Sequence, residues 1–421
     1  MKKIKSVKGM WDILPDDIHK WKFIENKIIE VVQKYNYEEI RLPILERNEL
    51  FNRVIGHETD IIKKETYDII DRNGEKLTLR PEGTASCVRA IIENDLLRKK
   101  KNKLWYMGPM FRYERPQKGR YRQFYQFGIE NYIRRSIQQD AEILSMSWKI
   151  MKSLGLSQYV KLEINNLGTK ENRVDYTKSL INYFKPLEKM LDENNKIHLE
   201  RNNPIRILDS KDSKIKEIIK KSPKLDKFIS LEEKNEFSSL IKFLISLNIP
   251  VQVNNDLVRG LDYYSQTVFE WTTNLLGAQK TICAGGRYNE LFNQLNYSNE
   301  VTAMGFAIGI ERIFLLLDHL ELFPKKNTET DIYVVCTKKY ILDILKIVEN
   351  LRDKLGIEKN ITVDANPGSF KRQFKRANES KAKIALIFGD YEIENDLCKI
   401  KFLQNEKEQI LVHKSEIMKF I

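Results

Sequence analysis

Residues 104–133 read LWYMGPMFRYERPQKGRYRQFYQFGIENYI. Two runs rich in apolar and aromatic residues, Leu104 to Tyr113 and Gln123 to Ile133, flank the polar loop Glu114 to Arg122. That pattern predicts two neighbouring strands joined by a hairpin loop. Arg112 stands just before the loop, and Arg115, Lys118, Arg120 and Arg122 lie within it. A guanidinium presents a planar fork that fits phosphate oxygens, and Phe124 offers a ring on which a base can stack. A solvent-exposed basic hairpin would have the same letters, so the loop alone leaves both readings open.

The charge is concentrated around this hairpin. The 421 residues include 72 Lys/Arg and 59 Asp/Glu, a net charge of 72 − 59 = +13. Between Asp95 and Arg135 there are twelve basic residues and three acids (Asp95, Glu114, Glu130), so 12 − 3 = +9 comes from a tenth of the chain. Trp105, Tyr106, Phe111, Tyr113, Tyr121, Phe124, Tyr125, Phe127 and Tyr132 are interleaved with these cations. Cations among aromatics suit phosphates and flat bases. A Lys-rich solvated surface is the alternative source of the net charge.

Apolar residues at 42% and aromatics at 10% support real cores, which excludes a disordered chain, a collagen-like fibre and a single small module. The length predicts two to four domains. No apolar run approaches the roughly 20 residues of a bilayer span, and the basic start Met1-Lys2-Lys3-Ile4-Lys5 leads to Gly9, Trp11, Asp12 and Pro15 without a signal-peptide core. Cys87, Cys283, Cys336 and Cys398 are scattered. Neither a disulfide framework nor a zinc site is indicated, and a cytoplasmic setting is expected.

Apolar periodicity predicts a helix over 17–35, a strand over 37–45, a hairpin over 67–79 around Asp71-Arg72-Asn73-Gly74, and helices over 84–97 and 139–154. Residues 165–225 turn Asn-, Lys- and Ser-rich, with breaks at Pro186, Pro204 and Pro223, as in an inserted helical module. Helical pattern resumes to Leu247. Strands follow near 251–253, 262–271, 279–284 and 304–308, then a helix over 309–317. After the polar linker 323–327, the order strand, helix, strand, helix, strand over 331–388, with two further strands near 398–403 and 409–412, predicts a small α/β domain.

Three other segments carry chemistry. In Met304-Gly305-Phe306-Ala307-Ile308-Gly309-Ile310-Glu311-Arg312 a Gly-rich strand enters a helix with Arg312 in its first turn. It lacks the dinucleotide fingerprint G-x-G-x-x-G. In Leu257-Val258-Arg259-Gly260-Leu261-Asp262-Tyr263-Tyr264 an Arg lies in an apolar context, where it needs an anionic partner: a ligand, or an acid that fixes the turn. In Ala284-Gly285-Gly286-Arg287-Tyr288 paired glycines allow close backbone approach to a ligand or a neighbouring strand.

Together these segments resemble the class II aminoacyl-tRNA synthetases. FRYE with its loop is similar to their second signature motif and GFAIGIER to the third; LVRGLDYY and AGGRYNEL resemble the two signatures of the histidyl-tRNA synthetase family. Lys8-Gly9-Met10-Trp11-Asp12 and Leu79-Arg80-Pro81-Glu82-Gly83-Thr84 fit the same family. The resemblance implies an α/β fold: an antiparallel-sheet catalytic domain over 1–325 with a helical insertion at about 165–225, and an anticodon-binding α/β domain over 330–421. It implies a ligase that joins L-histidine to ATP, releases pyrophosphate and transfers histidine to the 3′ end of tRNA(His), as a cytoplasmic homodimer using MgATP and no metal held by the protein.

By the same resemblance, Arg112 and Arg259 act at the α-phosphate and are the catalytic pair. ATP is bound by Arg112, Glu114, Arg120, Phe124 and Arg312. Histidine is bound by Glu82, Gly83, Thr84, Arg112, Gln126, Glu130, Arg259, Tyr263 and Tyr264. Gln117 and Lys118 meet the acceptor stem, and the basic helix 369–379 is the anticodon-side candidate. The chemistry agrees: an ammonium is a triple donor for Glu82 and Thr84, and an imidazole needs a partner at each nitrogen, here Glu130 and Tyr264. The rivals are a non-catalytic, histidine-binding regulatory subunit of ATP phosphoribosyltransferase, and a class II synthetase for threonine, proline or glycine. Arg112, Arg120, Arg259, Arg312 and residues 331–421 oppose the first; the segment Arg259–Tyr264 opposes the second.

Overall fold

The computed structural model describes residues 3–421 except 57, 58, 60, 133–135, 211, 260–262, 278, 298, 300, 325–329, 357, 358, 365 and 406, and except the side chains of Asp209 and Ser213. Part of the linker 323–327, the end of the strand at Ile133, Arg134, Arg135 and the centre of LVRGLDYY therefore lie outside the described residues. The chain divides into two units, Met1–Pro324 and Lys325–Ile421.

Helix α1 (Pro15–Gln33) begins with Pro at its first turn, followed by Asp16 and Asp17, and buries Trp21, Ile24, Ile28, Val31 and Val32 along one stripe. Strands β1 (Glu38–Glu39) and β2 (Leu45–Arg47), helix α2 (Asn48–Ile55) and the hairpin β3 (Tyr67–Ile70) and β4 (Lys76–Leu79) follow. The Asp71 carboxylate closes the turn by accepting from the N–H groups of Asn73 and Glu75, with Gly74 at φ 83°. Next come α3 (Thr84–Glu93), β5 (Lys103–Phe111), β6 (Gln123–Asn131), α4 (Ile137–Ser153) and β7 (Lys161–Asn166). Ser136 caps α4 by accepting from the Gln139 N–H.

The inserted segment holds α5 (Lys170–Phe184), α6 (Glu193–Glu200) and α7 (Ser213–Lys220), packed on a small core of Tyr176, Leu180, Phe184, Leu199 and Ile207. Then come α8 (Leu231–Ser246), opened by a Ser230/Glu233 capping box, β8 (Val251–Val253), β9 (Ser265–Thr272), β10 (Thr281–Arg287), α9 (Glu290–Gln294), β11 (Met304–Gly309) and α10 (Ile310–His319).

Among the described residues of the first unit, the main sheet has eight strands in the order β1-β5-β6-β11-β10-β9-β7-β8. Its centre is antiparallel and only the edge pairs β1–β5 and β7–β8 are parallel. Period-2 alternation gives the sheet two faces. Trp105, Phe127, Ile129, Phe269, Trp271, Phe306 and Ile308 share a core with α1, α4, α8 and α10. Leu104, Tyr106, Met110 and Val268 share the other with α2, α3 and α9.

The second unit contains β12 (Ile332–Cys336), α11 (Ile341–Leu355), β13 (Ile361–Val363), α12 (Phe370–Glu379), β14 (Ile384–Phe388), α13 (Asp390–Glu394), β15 (Leu397–Phe402) and β16 (Ile410–His413). Its sheet order is β13-β12-β14-β15-β16, parallel over the first three strands.

Three expectations are corrected. The predicted strand 37–45 survives only as Glu38–Glu39 and Leu45. Pro43 has no N–H for a ladder, and the carbonyls of Leu42 and Pro43 instead accept from the buried Arg80 guanidinium at 2.8 and 3.4 Å. The insertion predicted from about residue 165 starts slightly later, because β7 of the main sheet runs to Asn166 and pairs with β9. The helix predicted to reach residue 97 stops at Glu93.

Candidate active site

The face of the main sheet that carries the second core opens into a cavity of about 380 Å³. Part of its lining is backbone, because β11 supplies Gly305, Ala307 and Gly309 there. Gly305 and Gly309 of β11 stand in register with Glu130 and Gln126 of β6, and Ala307 with Gly128. A Cβ at Gly128 would fall 2.3 Å from the Tyr106 ring, and one at Gly83 would fall 2.2 Å from it. These two glycines let Tyr106 lie flat between β6 and the start of α3.

Four arginines from distant parts of the chain line this one cavity: Arg112, Arg120, Arg259 and Arg312. Arg112 leaves the end of β5, donates from Nε to the Pro81 carbonyl at 2.9 Å, and lays its guanidinium over the Phe124 ring at 5.2 Å. Arg312, in the first turn of α10, donates to the carbonyls of Gly119 (3.2 Å) and Thr281 (2.5 Å) and to Gln279 Oε1 (3.2 Å). Arg120 donates to the same Gln279 oxygen at 3.1 Å and faces Glu114 at 3.3 Å. Burial, and then repulsion by Arg120 and Arg112, push the Arg312 pKa below its ordinary value. The cluster thus carries an excess of positive charge that an anion would relieve.

Arg259 meets an acid, as burial requires: it is hydrogen-bonded to Glu270, which also accepts from Thr281 Oγ1 at 2.6 Å. Its guanidinium stands 5.2 Å from the Tyr264 ring. Burial alone would lower its pKa, but Tyr264 and Glu270 more than offset this and hold it above the ordinary value. Arg259 Nε is buried without a partner among the described residues, a donor left for a ligand.

The same cavity is lined by Glu82, Thr84, Gln126, Tyr263 and Tyr264. Glu82 spans the first turn of α3, accepting from the N–H groups of Thr84 (2.7 Å) and Ala85 (2.8 Å), and burial raises its pKa. Gln126 Oε1 is buried without a partner among the described residues, an acceptor left for a ligand. Glu130 is buried behind the floor: Tyr106 donates to one of its oxygens at 3.0 Å and Tyr288 to the other. Burial pushes its pKa up to about 8 against the opposing effect of the Tyr288 hydrogen bond.

Most predicted site residues come together here, with four exceptions. Gly83 and Glu130 adjoin the cavity without lining it, and exposed Gln117 and Lys118 sit at the loop tip, where Gln117 bridges to Arg120. The signature arginine Arg287 faces away: it is buried in an ion pair with Asp140 that braces β10 against α4. Arg80 is likewise a brace, tying Leu42, Pro43 and Pro109 together through their carbonyls.

Sequence reasoning missed Tyr106, Tyr288, Glu270 and Gln279. Tyr288 follows the paired glycines and could have been found from that position. Gln279 belongs to no quoted motif. The Gly9 carbonyl accepts from Arg122 N at 2.9 Å, so the segment Lys8–Asp12 fixes the base of the cationic loop.

The histidyl-tRNA synthetase family profile matches residues 9–313, and an anticodon binding domain profile matches residues 331–421. A histidine–tRNA ligase of Francisella tularensis subsp. holarctica is 48% identical over 100% of both chains. The apo histidyl-tRNA synthetase of S. aureus superposes with a TM-score of 0.83 at 32% identity, covering 99% of each chain. A Bacillus halodurans protein described as an ATP phosphoribosyltransferase regulatory subunit/histidyl-tRNA synthetase shares the fold, with a TM-score of 0.65 at 22% identity over 92% of this chain and 99% of that one. With family matches over most of its length and its four motif arginines lining one cavity, the chain belongs to the histidyl-tRNA synthetase family.

Proposed function

We propose that the residues of this cavity divide the two steps of histidine–tRNA ligation among themselves as follows. The overall activity comes with family membership at 48% identity over the full chain. ATP, supplied as MgATP, lies bent across the arginines. Arg112 and Arg259 hold the α-phosphate, Arg120 and Arg312 the β- and γ-phosphates. Phe124 stacks on adenine and Glu114 accepts from its amino group. The histidine ammonium donates to Glu82, Thr84 and Gln126, with Gly83 and Tyr263 shaping the wall. The imidazole lies between Glu130 and Tyr264.

The histidine carboxylate is already ionised, so it attacks the α-phosphorus without a general base. A P–O bond forms to the carboxylate oxygen as the bond to pyrophosphate breaks. Catalysis is then positioning and charge neutralisation, which requires fixed cations. In the second step the terminal ribose hydroxyl attacks the acyl carbon and AMP leaves. The acceptor stem meets Gln117 and Lys118. The molecule works in the cytoplasm as a homodimer, with residues 1–325 as catalytic domain and 330–421 reading the anticodon.

One observation carries this reading: four guanidiniums and an unsatisfied Gln126 oxygen share a single cavity. Fixed polar groups of this kind exclude an apolar isostere, because they would be left unpaired. Pyrophosphate exchange measured with each amino acid in turn tests it. Exchange dependent on histidine alone is expected; histidine binding without exchange, or exchange driven by another amino acid, would overturn it.

A further inference from the structure

We propose that Gln279 is a positioning residue for ATP: its amide oxygen holds Arg120 and Arg312 side by side without neutralising either. The inference rests on the reading above in which these two arginines take the β- and γ-phosphates.

Gln279 lies in the turn between β9 and β10, beside the backbone bond from Thr273 N to the Lys280 carbonyl at 2.8 Å. It is 159 residues from Arg120 and 33 from Arg312. Its Oε1 accepts from Arg120 Nε at 3.1 Å and from Arg312 Nη2 at 3.2 Å. Both neighbours are donors only, so the amide must present its oxygen to both. The Gln279 side chain also packs within 3.8 Å of the place a Cβ on Gly119 would occupy, and the Gly119 carbonyl takes Arg312 Nε. One side chain therefore ties the cationic loop, the β9–β10 turn and α10 together at the phosphate end of the cavity.

The charge of this acceptor matters. Two guanidiniums held together repel each other, and repulsion by Arg120 is among the influences lowering the Arg312 pKa. A neutral oxygen offsets part of that repulsion and adds no negative charge to that of Glu114, which already faces Arg120 at 3.3 Å. Arg312 has five N–H groups, three of them bonded to Gly119, Thr281 and Gln279. That leaves one on each terminal nitrogen for phosphate oxygens. A carboxylate at position 279 would hold the arginines more strongly and supply the negative charge that the triphosphate otherwise brings.

The test is pyrophosphate exchange by the full-length chain, varying ATP and histidine separately, for Gln279→Leu and the near-isosteric Gln279→Glu. Gln279→Leu should raise the ATP KM about fivefold through lost preorganisation, and Gln279→Glu about tenfold or more through competition with the phosphates. The histidine KM should stay within about twofold in both. Any other order of the ATP KM values, or a parallel rise in the histidine KM, would overturn the proposal. Arg312→Ala separates this from the underlying reading. If it leaves the ATP KM unchanged, the assignment of the arginines fails; if it raises the ATP KM while both Gln279 variants match the parent, only the role of Gln279 fails.

Discussion

Arg259 combines two properties that rarely coincide: it is largely buried, and its fully covered Nε is unbonded among the described residues although a carboxylate lies beside the guanidinium. Such a group is already desolvated before substrate arrives, so its interaction with charge developing at the α-phosphate is little screened. Arg259→Ala should therefore lower the rate of pyrophosphate exchange by roughly 3–4 kcal/mol of transition-state stabilisation, or about 10²- to 10³-fold. An unchanged rate would refute its role. Glu130 behaves differently because it works from behind the floor. Glu130→Gln should raise the histidine KM more than the ATP KM, and equal losses would point to a folding defect instead. The substitution also has a pH signature. Because the folded-state pKa is raised to about 8 from an ordinary 4.5, the stability linked to this proton is full below pH 4.5 and is lost as pH rises through 8. Thermal melts of the ligand-free protein from pH 5 to 9 should fall less steeply for Glu130→Gln than for the parent. Arg259 was legible in the sequence because an arginine in an apolar run demands an anionic partner, Arg112 and Arg120 because they belong to a cationic hairpin, and Arg312 because it follows a Gly-rich strand into a helix. Tyr106 and Gln279 were not, since an aromatic in a strand or an amide in a turn looks like ordinary core or turn until its partner is seen.

At the scale of elements, the cavity is made by what the strands leave out. A Cβ on Gly305 would fall 2.0 Å from Glu130 Oε2 and 2.4 Å from the Ile129 carbonyl. The second of these atoms is backbone of β6, which is hydrogen-bonded to β5 and β11 on its two sides and cannot yield cheaply. Gly305→Ala should cost about 1–3 kcal/mol of stability, as overpacking of a core does, and should weaken histidine binding by displacing Glu130. Urea unfolding and the histidine KM check the two parts; a fully stable variant with normal histidine binding would show that the floor has slack. The antiparallel centre of the sheet was readable because period-2 alternation and hairpin signals fall close together in sequence, as in β5 with β6. The edges were harder. Strand β1 is two residues long, and its place was obscured by Leu42 and Pro43, whose carbonyls serve Arg80 rather than a neighbouring strand. Strand β7 was not predicted: its last residues, Asn165 and Asn166, read as the start of the polar insertion, although Leu162 and Ile164 lie in the main core. Composition reports average solvent contact, and a strand at a module boundary shares the average of both sides.

At the scale of the whole molecule, positive charge is spread over surfaces well outside the cavity. Arg98, Lys99, Lys100, Lys101, Arg115 and Lys118 are exposed in the first unit, and Lys371, Arg372 and Lys375 are exposed on α12 of the second. On α12 the buried positions are Gln373, which is locked to both backbone groups of Cys336, and Ala377, while Phe370 and Phe374 are only partly covered. Arg376 is tied to Asp364 and Lys375 faces Glu379 at 3.8 Å, which leaves Lys371 and Arg372 to a polyanion. If these surfaces hold the tRNA backbone, binding it releases counterions and binding histidine does not. Two or three phosphate contacts, at a slope near 0.9 each, should raise the KM for tRNA by about 10- to 40-fold between 50 and 200 mM salt. The histidine KM in pyrophosphate exchange should move by less than about twofold over the same range, because that step involves no polynucleotide. Lys371→Gln should lower the tRNA salt slope by about one unit while leaving exchange unchanged, since one phosphate contact is removed and the cavity is untouched. A tRNA KM as insensitive to salt as the histidine KM would mean that the net charge of +13 serves solubility rather than recognition.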